Sequence, residues 1–250
     1  ANVSPPIYIL LEKIEKISNW IDEYLKESNQ KSLIIGVSGG IDSAVVSTLC
    51  AMTGVPTIVV SMPIRQLPTQ HDLSLTHCWW LKGRYPNVTH INKDLTDIFE
   101  KFEDTFEAET DDLAFANTRA RLRMTALYQI AQFNKGLVVG TGNKVEDFGV
   151  GFFTKYGDGG VDISPIADCL KSEVWDMGKE LEINQAIIDA EPTDGLWDDA
   201  RVDADQLGMT YAELEDAMLG KGSKQLIDRF MTLKYLNSHK MIPIPICYMS

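Results

Sequence analysis

Apolar residues recur every three or four positions through the first thirty residues, which predicts an amphipathic helix. The apolar positions of this helix are Ile7, Leu10, Leu11, Ile14, Ile17, Ile21 and Leu25. The period then changes to short continuous apolar runs next to small residues, at 33–37, 57–60 and 137–140. Such runs are typical of strands that are buried on both faces of a parallel sheet.

The stretches between these runs are long enough for crossover helices, notably at residues 42–52, 69–81 and 110–133. Strands that alternate with helices predict an α/β fold with a doubly wound, mainly parallel sheet and flanking helices. No Ser/Gly/Pro-rich linker divides the chain, so we expect residues 1–250 to form a single domain. Ligands of such sheets bind beyond the carboxyl ends of the strands.

Two segments interrupt the periodic pattern. Residues 149–160 are rich in glycine and aromatic side chains, and residues 191–205 are acidic. We interpret both segments as loops and as candidates for mobile lids over a binding site.

The charge of the chain limits its partners. A formal net charge of −13 argues against a nucleic-acid-binding surface, because phosphate backbones are held chiefly by Lys and Arg. We therefore expect no nucleic-acid partner. An anionic substrate has to be met by a few local cations.

The chain has neither an apolar stretch of the roughly 20 residues that span a bilayer nor the N-terminal pattern of a signal peptide. We expect a soluble, cytoplasmic protein with no membrane partner. The four cysteines are far apart, without zinc-type or C-x-x-C spacing, and predict buried reduced thiols: Cys50, Cys78, Cys169 and Cys247.

A glycine-rich segment follows the first strand and leads directly into a helix-forming run. It consists of Gly36, Val37, Ser38, Gly39, Gly40, Ile41, Asp42 and Ser43. Glycines let the backbone approach an anion closely, and the free N–H groups of a helix N-terminus favour phosphate. A carboxylate in such a turn repels phosphate unless a cation lies between them, so Asp42 is interpreted as a magnesium ligand. The alternative is that Asp42 and Ser43 only cap the helix.

This segment resembles the S-G-G-x-D-S loop of the N-type ATP pyrophosphatases, which have the adenine nucleotide α-hydrolase-like fold. That loop lacks the lysine of a Walker loop and holds the pyrophosphate that leaves when AMP is transferred. The resemblance implies activation of a substrate by adenylation. It does not choose among asparagine, guanylate, argininosuccinate, NAD and lysidine synthetases, which share related loops.

Three later segments together resemble NAD synthetases. They are R-A-R-L-R-M at 119–124, G-T-G-N-K-V-E at 140–146 and F-F-T-K-Y-G-D-G-G-V-D at 152–162. The similarity extends from the glycine-rich loop to residues 239–240. It implies that deamido-NAD is adenylated on its nicotinate carboxylate by ATP, and that ammonia then displaces AMP to form the carboxamide. It also implies a magnesium cofactor and a homodimer.

The resemblance assigns roles to individual positions. ATP is expected to contact the glycine-rich loop together with Thr141, Lys171 and Thr193, and magnesium is expected to bind Asp42 and Glu146. The residues expected to hold deamido-NAD are Arg121, Lys155, Asp162, His239 and Lys240. A dinucleotide with two phosphates and a carboxylate requires such cations in an acidic protein. The alternative for the three arginines of 119–124 is a solvated helix face.

Two assignments stay open at this point. The chain has one residue more between Glu146 and Lys155 than many members of that family, and the acids at 146 and 147 are adjacent, so either Glu146 or Asp147 is the metal ligand. Asp158 is the candidate general base that takes a proton from ammonium, but a residue flanked by glycines can equally be a turn residue.

Two other classes of function compete with this prediction. An RNA-thiolating or lysidine-forming ligase is expected to carry a basic surface or reactive cysteines, and the sequence indicates neither. A nucleotide sensor without catalysis is expected to lack the magnesium acids and the substrate cations, whereas here all of those positions are filled.

Overall fold

The computed structural model describes residues 6–199 and 201–249. Its centre is a four-stranded sheet in the order β3-β2-β1-β4, and all of the strands are parallel. The strands are β1 Ser32–Gly36, β2 Thr57–Ser61, β3 Val88–Asn92 and β4 Gly136–Val138. A parallel bridge between Val139 and Ile163 extends the sheet beyond β4.

Helices connect and cover the strands. They are α1 Ile7–Glu27, α2 Ile41–Met52, α3 Pro68–Arg84, α4 Thr96–Thr105, α5 Asp112–Asn134, α6 Lys171–Glu180, α7 Gln185–Ile188, α8 Asp203–Leu207, α9 Tyr211–Met218 and α10 Lys224–Met241. A π-helix at Lys144–Val150 lies between β4 and α6. Within the described ranges, no helix is long and apolar enough to cross a membrane.

Side chains of β1 alternate between two hydrophobic cores, one on each face of the sheet. Leu33 and Ile35 pack with α1, α2 and α6, whereas Ile34 packs with α4 and α5. This alternation is the period-two geometry of a strand, here with both faces covered by helices. The predicted doubly wound α/β fold is confirmed.

The three predicted strands and the four predicted helices are present, with ends that differ by a few residues. Strand β3 was not predicted, because its V-T-H-I-N sequence is half polar, as suits the exposed edge of the sheet. Helix α4 was not predicted either. Two loop predictions were too long, since Gly149 and Val150 belong to the π-helix and Asp203 starts α8.

The prediction for the cysteines is correct at three of the four positions. Cys50, Cys78 and Cys169 are buried free thiols, and burial raises the pKa of Cys78 and Cys169 to about 11. Cys247 is exposed, which contradicts the prediction for that residue. It follows helix α10 in a segment without regular secondary structure, so no packed layer covers it.

His77 of α3 makes the stability of the fold depend on pH. Its Nε2 lies 3.0 Å from the Ser47 hydroxyl, and burial lowers its pKa to about 4. The unfolded chain therefore binds more protons than the folded chain between pH 6.5 and 4. Stability is lost as the pH falls through this window, by up to about 3 kcal/mol from this group.

We expect His77→Gln to reduce the slope of the free energy of unfolding against pH between pH 7 and pH 4. Urea titrations at several pH values in this range measure that slope. His239→Gln, at an exposed histidine, is the matched control and should keep the slope of the unmodified protein. Equal slopes in the two variants would show that His77 contributes nothing in this range.

Candidate active site

A cavity of about 300 Å³ opens at the carboxyl ends of β1, β2 and β4. Its floor is the glycine-rich loop, and its walls come from α5, the segment after β4, α6 and residues 190–196. The order of the strands reverses between β1 and β4, so the cavity lies at the topological switch point where ligands of open α/β sheets bind.

The glycine-rich loop is shaped by close approach of the backbone. Gly39 has a φ of +94°, and a Cβ at this position would lie 2.7 Å from the carbonyl oxygen of Gln70. The Ser43 hydroxyl accepts from the Ser38 N–H at 3.1 Å and donates to the Gly40 carbonyl at 3.1 Å. All eight residues from Gly36 to Ser43 line the cavity.

Helix α2 begins after Gly40 without a side-chain cap, so its first N–H groups stay available to an anion. Asp42 does not cap this helix. Instead, its carboxylate forms a salt bridge with the ammonium of Lys171, whose side chain is only 2% exposed. The alternative of a capping role for Asp42 is therefore wrong.

Lys171 joins two acids that are far apart in the sequence. Its Nζ binds the Asp42 carboxylate and lies 3.1 Å from Glu146 Oε1. Asn143 fixes both partners, because its Nδ2 donates to Asp42 at 3.1 Å while its Oδ1 accepts from the Glu146 N–H. The result is a buried cluster of one cation and two carboxylates beside the phosphate loop.

Burial and the lysine act in opposite directions on these acids. For Asp42, burial raises the pKa more than the Lys171 ammonium lowers it. For Glu146, burial also favours the neutral form, but Lys171 and the Tyr211 hydroxyl lower the pKa below its usual value. Glu146 is therefore the member of the pair that is held most firmly as a carboxylate.

Asp147 lies next to Glu146 in sequence but in a different environment. Burial and then the charges of Glu146, Asp158 and Asp42 raise its pKa to about 8. Its carboxyl group packs against Gly142, where a Cβ would lie 2.0 Å from Asp147 Oδ2. At neutral pH Asp147 is therefore mostly a neutral acid, which is a poor metal ligand.

A π-helix contains both Glu146 and Asp147. A π-helical turn holds one residue more per hydrogen-bonded ring than an α-helical turn, and it commonly occurs at functional sites. Here it lies at Lys144–Val150, with the Asn143 side chain as its N-cap. It turns Glu146 towards Lys171 while Asp147 faces Gly142.

One acid and one tyrosine near the cluster were not assigned from the sequence. The Tyr211 hydroxyl lies 2.5 Å from Glu146 Oε1 and 3.0 Å from Asp203 Oδ2, and its ring lies below the Lys171 ammonium at 4.6 Å. Asp203 is buried, and burial raises its pKa to about 7. No periodicity or motif brings these positions, which follow the 191–202 loop, next to Glu146.

Asp158 lines another side of the cavity, and the ammonium of Lys240 is near enough to act on its charge. Asp158 Oδ1 accepts from the Thr154 N–H at 2.8 Å, and solvent reaches the side chain through the cavity. The surrounding protein nevertheless raises its pKa to about 6 by desolvation. Lys240 Nζ donates to the Phe153 carbonyl at 2.5 Å, and burial lowers its pKa.

The two threonines predicted to contact ATP line the cavity. Thr141 follows β4 in the segment that leads to Asn143. The Thr193 hydroxyl donates to the Arg201 carbonyl at 3.0 Å and accepts from the Gly195 N–H at 3.2 Å. Thr193 therefore shapes the 191–202 loop as well as facing the cavity.

The five residues predicted for the dinucleotide are not all in one place. Arg121 is exposed on α5 and donates to the Lys155 carbonyl at 3.1 Å. Asp162 accepts from the Val138 N–H and the Tyr128 hydroxyl, at 2.8 and 2.9 Å, which ties it to the edge of β4.

His239 and Lys240 lie in the last turn of α10, and His239 is exposed. A shallow cavity of about 570 Å³ lies next to the Arg121 and Asp162 group, on the exposed side of α5. It is lined by Met124, Thr125, Tyr128, Gln129, Gln132 and Tyr156.

The donor set fits magnesium as a partner of a nucleotide. Within residues 6–199 and 201–249, no group of three or more His, Cys, Asp or Glu side chains forms a closed metal site. Magnesium usually binds one or two carboxylates and completes its shell with water and substrate phosphates. Asp42 and Glu146 converge beside the phosphate loop and supply such a pair.

Comparison with known proteins identifies the family of this chain. The family model described as NAD synthase matches residues 13–243. The chain belongs to the NAD synthase family. An NH(3)-dependent NAD(+) synthetase of Carboxydothermus hydrogenoformans is 36% identical over 231 residues, which are 92% of this chain and 94% of that protein. One of Finegoldia magna is 35% identical over 86% of this chain and 88% of that protein.

Solved structures of this family have the same fold. An NMN synthetase from Francisella tularensis superimposes with a TM-score of 0.89 at 32% identity, over 95% of this chain and 98% of that one. An NH3-dependent NAD synthetase from Campylobacter jejuni gives a TM-score of 0.79 at 25% identity, over 96% and 99% of the two chains. The family predicted from the sequence is confirmed.

Proposed function

We propose that this NAD synthase family protein makes NAD in two steps, with ATP, deamido-NAD and ammonia as its substrates. The nicotinate carboxylate first attacks the α-phosphorus of ATP and pyrophosphate leaves. Ammonia then attacks the acyl adenylate, AMP leaves and the carboxamide is formed. The observation that carries this proposal is the buried cluster of Asp42, Lys171 and Glu146 beside a glycine-rich loop. Because the reaction consumes ATP, we propose that it takes place in the cytoplasm.

Residues of the chain prepare the first step by binding and orienting ATP. The N–H groups of the 36–43 loop and the N-terminus of α2 hold the phosphates that leave, and Thr141 and Thr193 line the rest of the nucleotide site. Lys171 lines the same cavity as this loop, and in this proposal its ammonium moves from the two carboxylates to the departing pyrophosphate. Its ammonium neutralises the charge that develops there.

Asp42 and Glu146 would hold the magnesium ion that accompanies ATP. When bound, such an ion neutralises charge on the phosphates and lowers the barrier to displacement of pyrophosphate. Glu146 supports this role better than Asp147, because Lys171 and Tyr211 stabilise its carboxylate while burial keeps Asp147 largely neutral.

We expect Glu146→Gln to weaken magnesium binding by at least about tenfold, because one of the two carboxylates is lost. Asp147→Asn should stay within about threefold, since an amide closely replaces a neutral carboxylic acid. Calorimetric titration of magnesium in the presence of a non-hydrolysable ATP analogue measures both. A larger loss for Asp147→Asn would reverse the assignment.

Asp158 is the proposed general base of the second step. Ammonium must lose a proton before it can attack, and Asp158 has a pKa of about 6 and is open to the cavity. Its bond from the Thr154 N–H fixes the carboxylate while one oxygen stays available. The turn at 157–159 therefore positions the base, so the two roles considered for Asp158 are compatible.

Deamido-NAD is proposed to lie along the exposed side of α5 and to reach the cavity with its nicotinate end. Its proposed contacts are Arg121, Lys155, Asp162, His239 and Lys240. The shallow cavity beside α5 and the exposed apolar residues Leu113 and Tyr128 support a homodimer in which a second copy covers this face.

The decisive experiment measures the release of AMP and pyrophosphate with ATP, ammonium and one acyl substrate at a time. We expect release with deamido-NAD and formation of NAD. A second candidate function is amidation of nicotinate mononucleotide, which the similarity to the Francisella NMN synthetase favours. A higher kcat/KM for the mononucleotide would select that function, and release without either substrate would contradict both.

A further inference from the structure

The three arginines of α5 lie in three different environments. Arg119 and Arg123 are four residues apart and share one face of the helix, while Arg121 lies on another face. Arg119 forms a salt bridge with Asp198 at 2.8 Å and stacks over the Phe99 ring at 4.6 Å. Arg123 lines the cavity beside the glycine-rich loop.

Within residues 6–199 and 201–249, the hydrogen-bond partners of Arg123 are all neutral oxygens. Its Nε donates to the Met62 carbonyl at 3.0 Å, one terminal nitrogen donates to Gln66 Oε1 at 2.9 Å, and the other lies 3.4 Å from the Gly195 carbonyl. Among the described residues, no carboxylate forms a salt bridge with it. Asp194 and Asp158 act on its charge only at longer range.

A charged guanidinium that is withdrawn from water and has no anionic partner costs desolvation free energy, which a bound anion would offset. Burial disfavours its charge, which lowers the pKa of Arg123 to about 10, yet it remains a cation at neutral pH. Neutral acceptors offset this cost less well than an ionised oxygen, and the planar fork of arginine suits two oxygens of one phosphate or carboxylate. The bond to Gly195 is the longest of the three and the easiest to exchange.

The position of Arg123 limits which anion it meets. The N–H groups of the 36–43 loop face the cavity from its floor, whereas Arg123 belongs to the α5 wall, near the ends of β1 and β2. In the function proposed above, the glycine-rich loop takes the leaving pyrophosphate. The oxyanions left for the α5 wall are the α-phosphate and the nicotinate carboxylate that attacks it.

We infer that Arg123 is a substrate-binding residue that holds an oxyanion at the centre of adenylyl transfer, in exchange for its contact with Gly195. The inference rests on the proposed function. It also links substrate to the surrounding loops, because the same guanidinium joins Gln66, after β2, to Gly195 of the 191–202 loop.

Titrations that need no turnover test this inference. AMP, adenosine, pyrophosphate and deamido-NAD are titrated separately into the unmodified protein and the Arg123→Gln variant. We expect AMP binding to weaken about 10- to 100-fold if the oxyanion is the α-phosphate, with adenosine and pyrophosphate within about twofold. A selective loss for deamido-NAD would instead identify the nicotinate carboxylate as the oxyanion, and it too supports the inference.

Two further variants test whether the effect belongs to this guanidinium. Arg84→Gln makes the same substitution at an exposed arginine that pairs with Glu182 at 2.7 Å and does not line the cavity, and it should leave AMP and deamido-NAD binding within about twofold. Arg123→Lys keeps a cation but lacks the planar guanidinium, so its loss of affinity should be smaller than that of Arg123→Gln and larger than that of the control. It replaces Arg123→Gln in the titrations if that variant does not fold. Equal losses for adenosine and AMP, a loss limited to pyrophosphate, or no loss at all would overturn the inference. If these titrations succeed but the unmodified protein does not turn over deamido-NAD, only the proposed function fails.

Discussion

Replacing Asp42 with asparagine is expected to lower deamido-NAD-dependent pyrophosphate release by about 10³-fold or more, because magnesium loses a charged ligand and Lys171 loses its closest carboxylate. Asparagine has nearly the same shape, and its amide oxygen can still accept from Asn143, which donates to Asp42 at 3.1 Å. The fold is therefore expected to persist. Single-turnover release of pyrophosphate, with circular dichroism of the same samples, measures both properties.

Asp22→Asn is a suitable control for the Asp42 variant. Asp22 pairs with Lys26 on the surface of α1 and does not line the cavity. Such surface pairs contribute little to the free energy of unfolding. Its activity should stay within about twofold of the unmodified protein. Near-normal pyrophosphate release by a folded Asp42→Asn protein would remove Asp42 from the proposed magnesium site.

Lys171→Gln is expected to have the largest effect on stability. The lysine is 2% exposed and neutralises two carboxylates, so its loss leaves two buried negative charges next to each other. Breaking a buried ion pair from one side costs about 3–5 kcal/mol. Adenylation should be lost as well, since no ammonium remains to meet the leaving pyrophosphate.

Urea unfolding at pH 7 measures the stability change. Lys179→Gln is the control on the same helix, because Lys179 is 61% exposed and forms a surface pair with Asp176 at 3.5 Å. We expect the control to lie within about 0.5 kcal/mol of the unmodified protein. If Lys171→Gln lowers the free energy of unfolding by no more than the control does, the cluster is not held together by this lysine.

Local sequence determined much of the framework of this protein. The apolar runs at 33–37 and 57–60 predicted buried strands because a strand covered on both faces has no polar side, and the glycine-rich segment predicted an anion turn because only glycine tolerates φ values such as that of Gly39. Strand β3 was missed for the same reason. Strand β3 is at the edge of the sheet, where polar side chains are tolerated, and the sequence alone does not show which strand takes that position.

The chemistry of the site was decided by the tertiary structure. Lys171 and Asp42 are 129 positions apart, and Tyr211 and Glu146 are 65 apart, so no local period relates them. Resemblance to a family assigned Asp42 and Glu146 to magnesium and kept Asp147 as the alternative to Glu146. The π-helix separates them by turning one towards Lys171 and the other towards Gly142.

Arg119, Arg121 and Arg123 illustrate the same division. The sequence determined that three arginines lie on one helix, with the outer two on a common face. Only the fold gave Arg119 a carboxylate partner, left Arg121 exposed and surrounded Arg123 with neutral oxygens. The physical reason is that side-chain type and period are local properties, whereas desolvation and charge pairing depend on every segment that packs around a group.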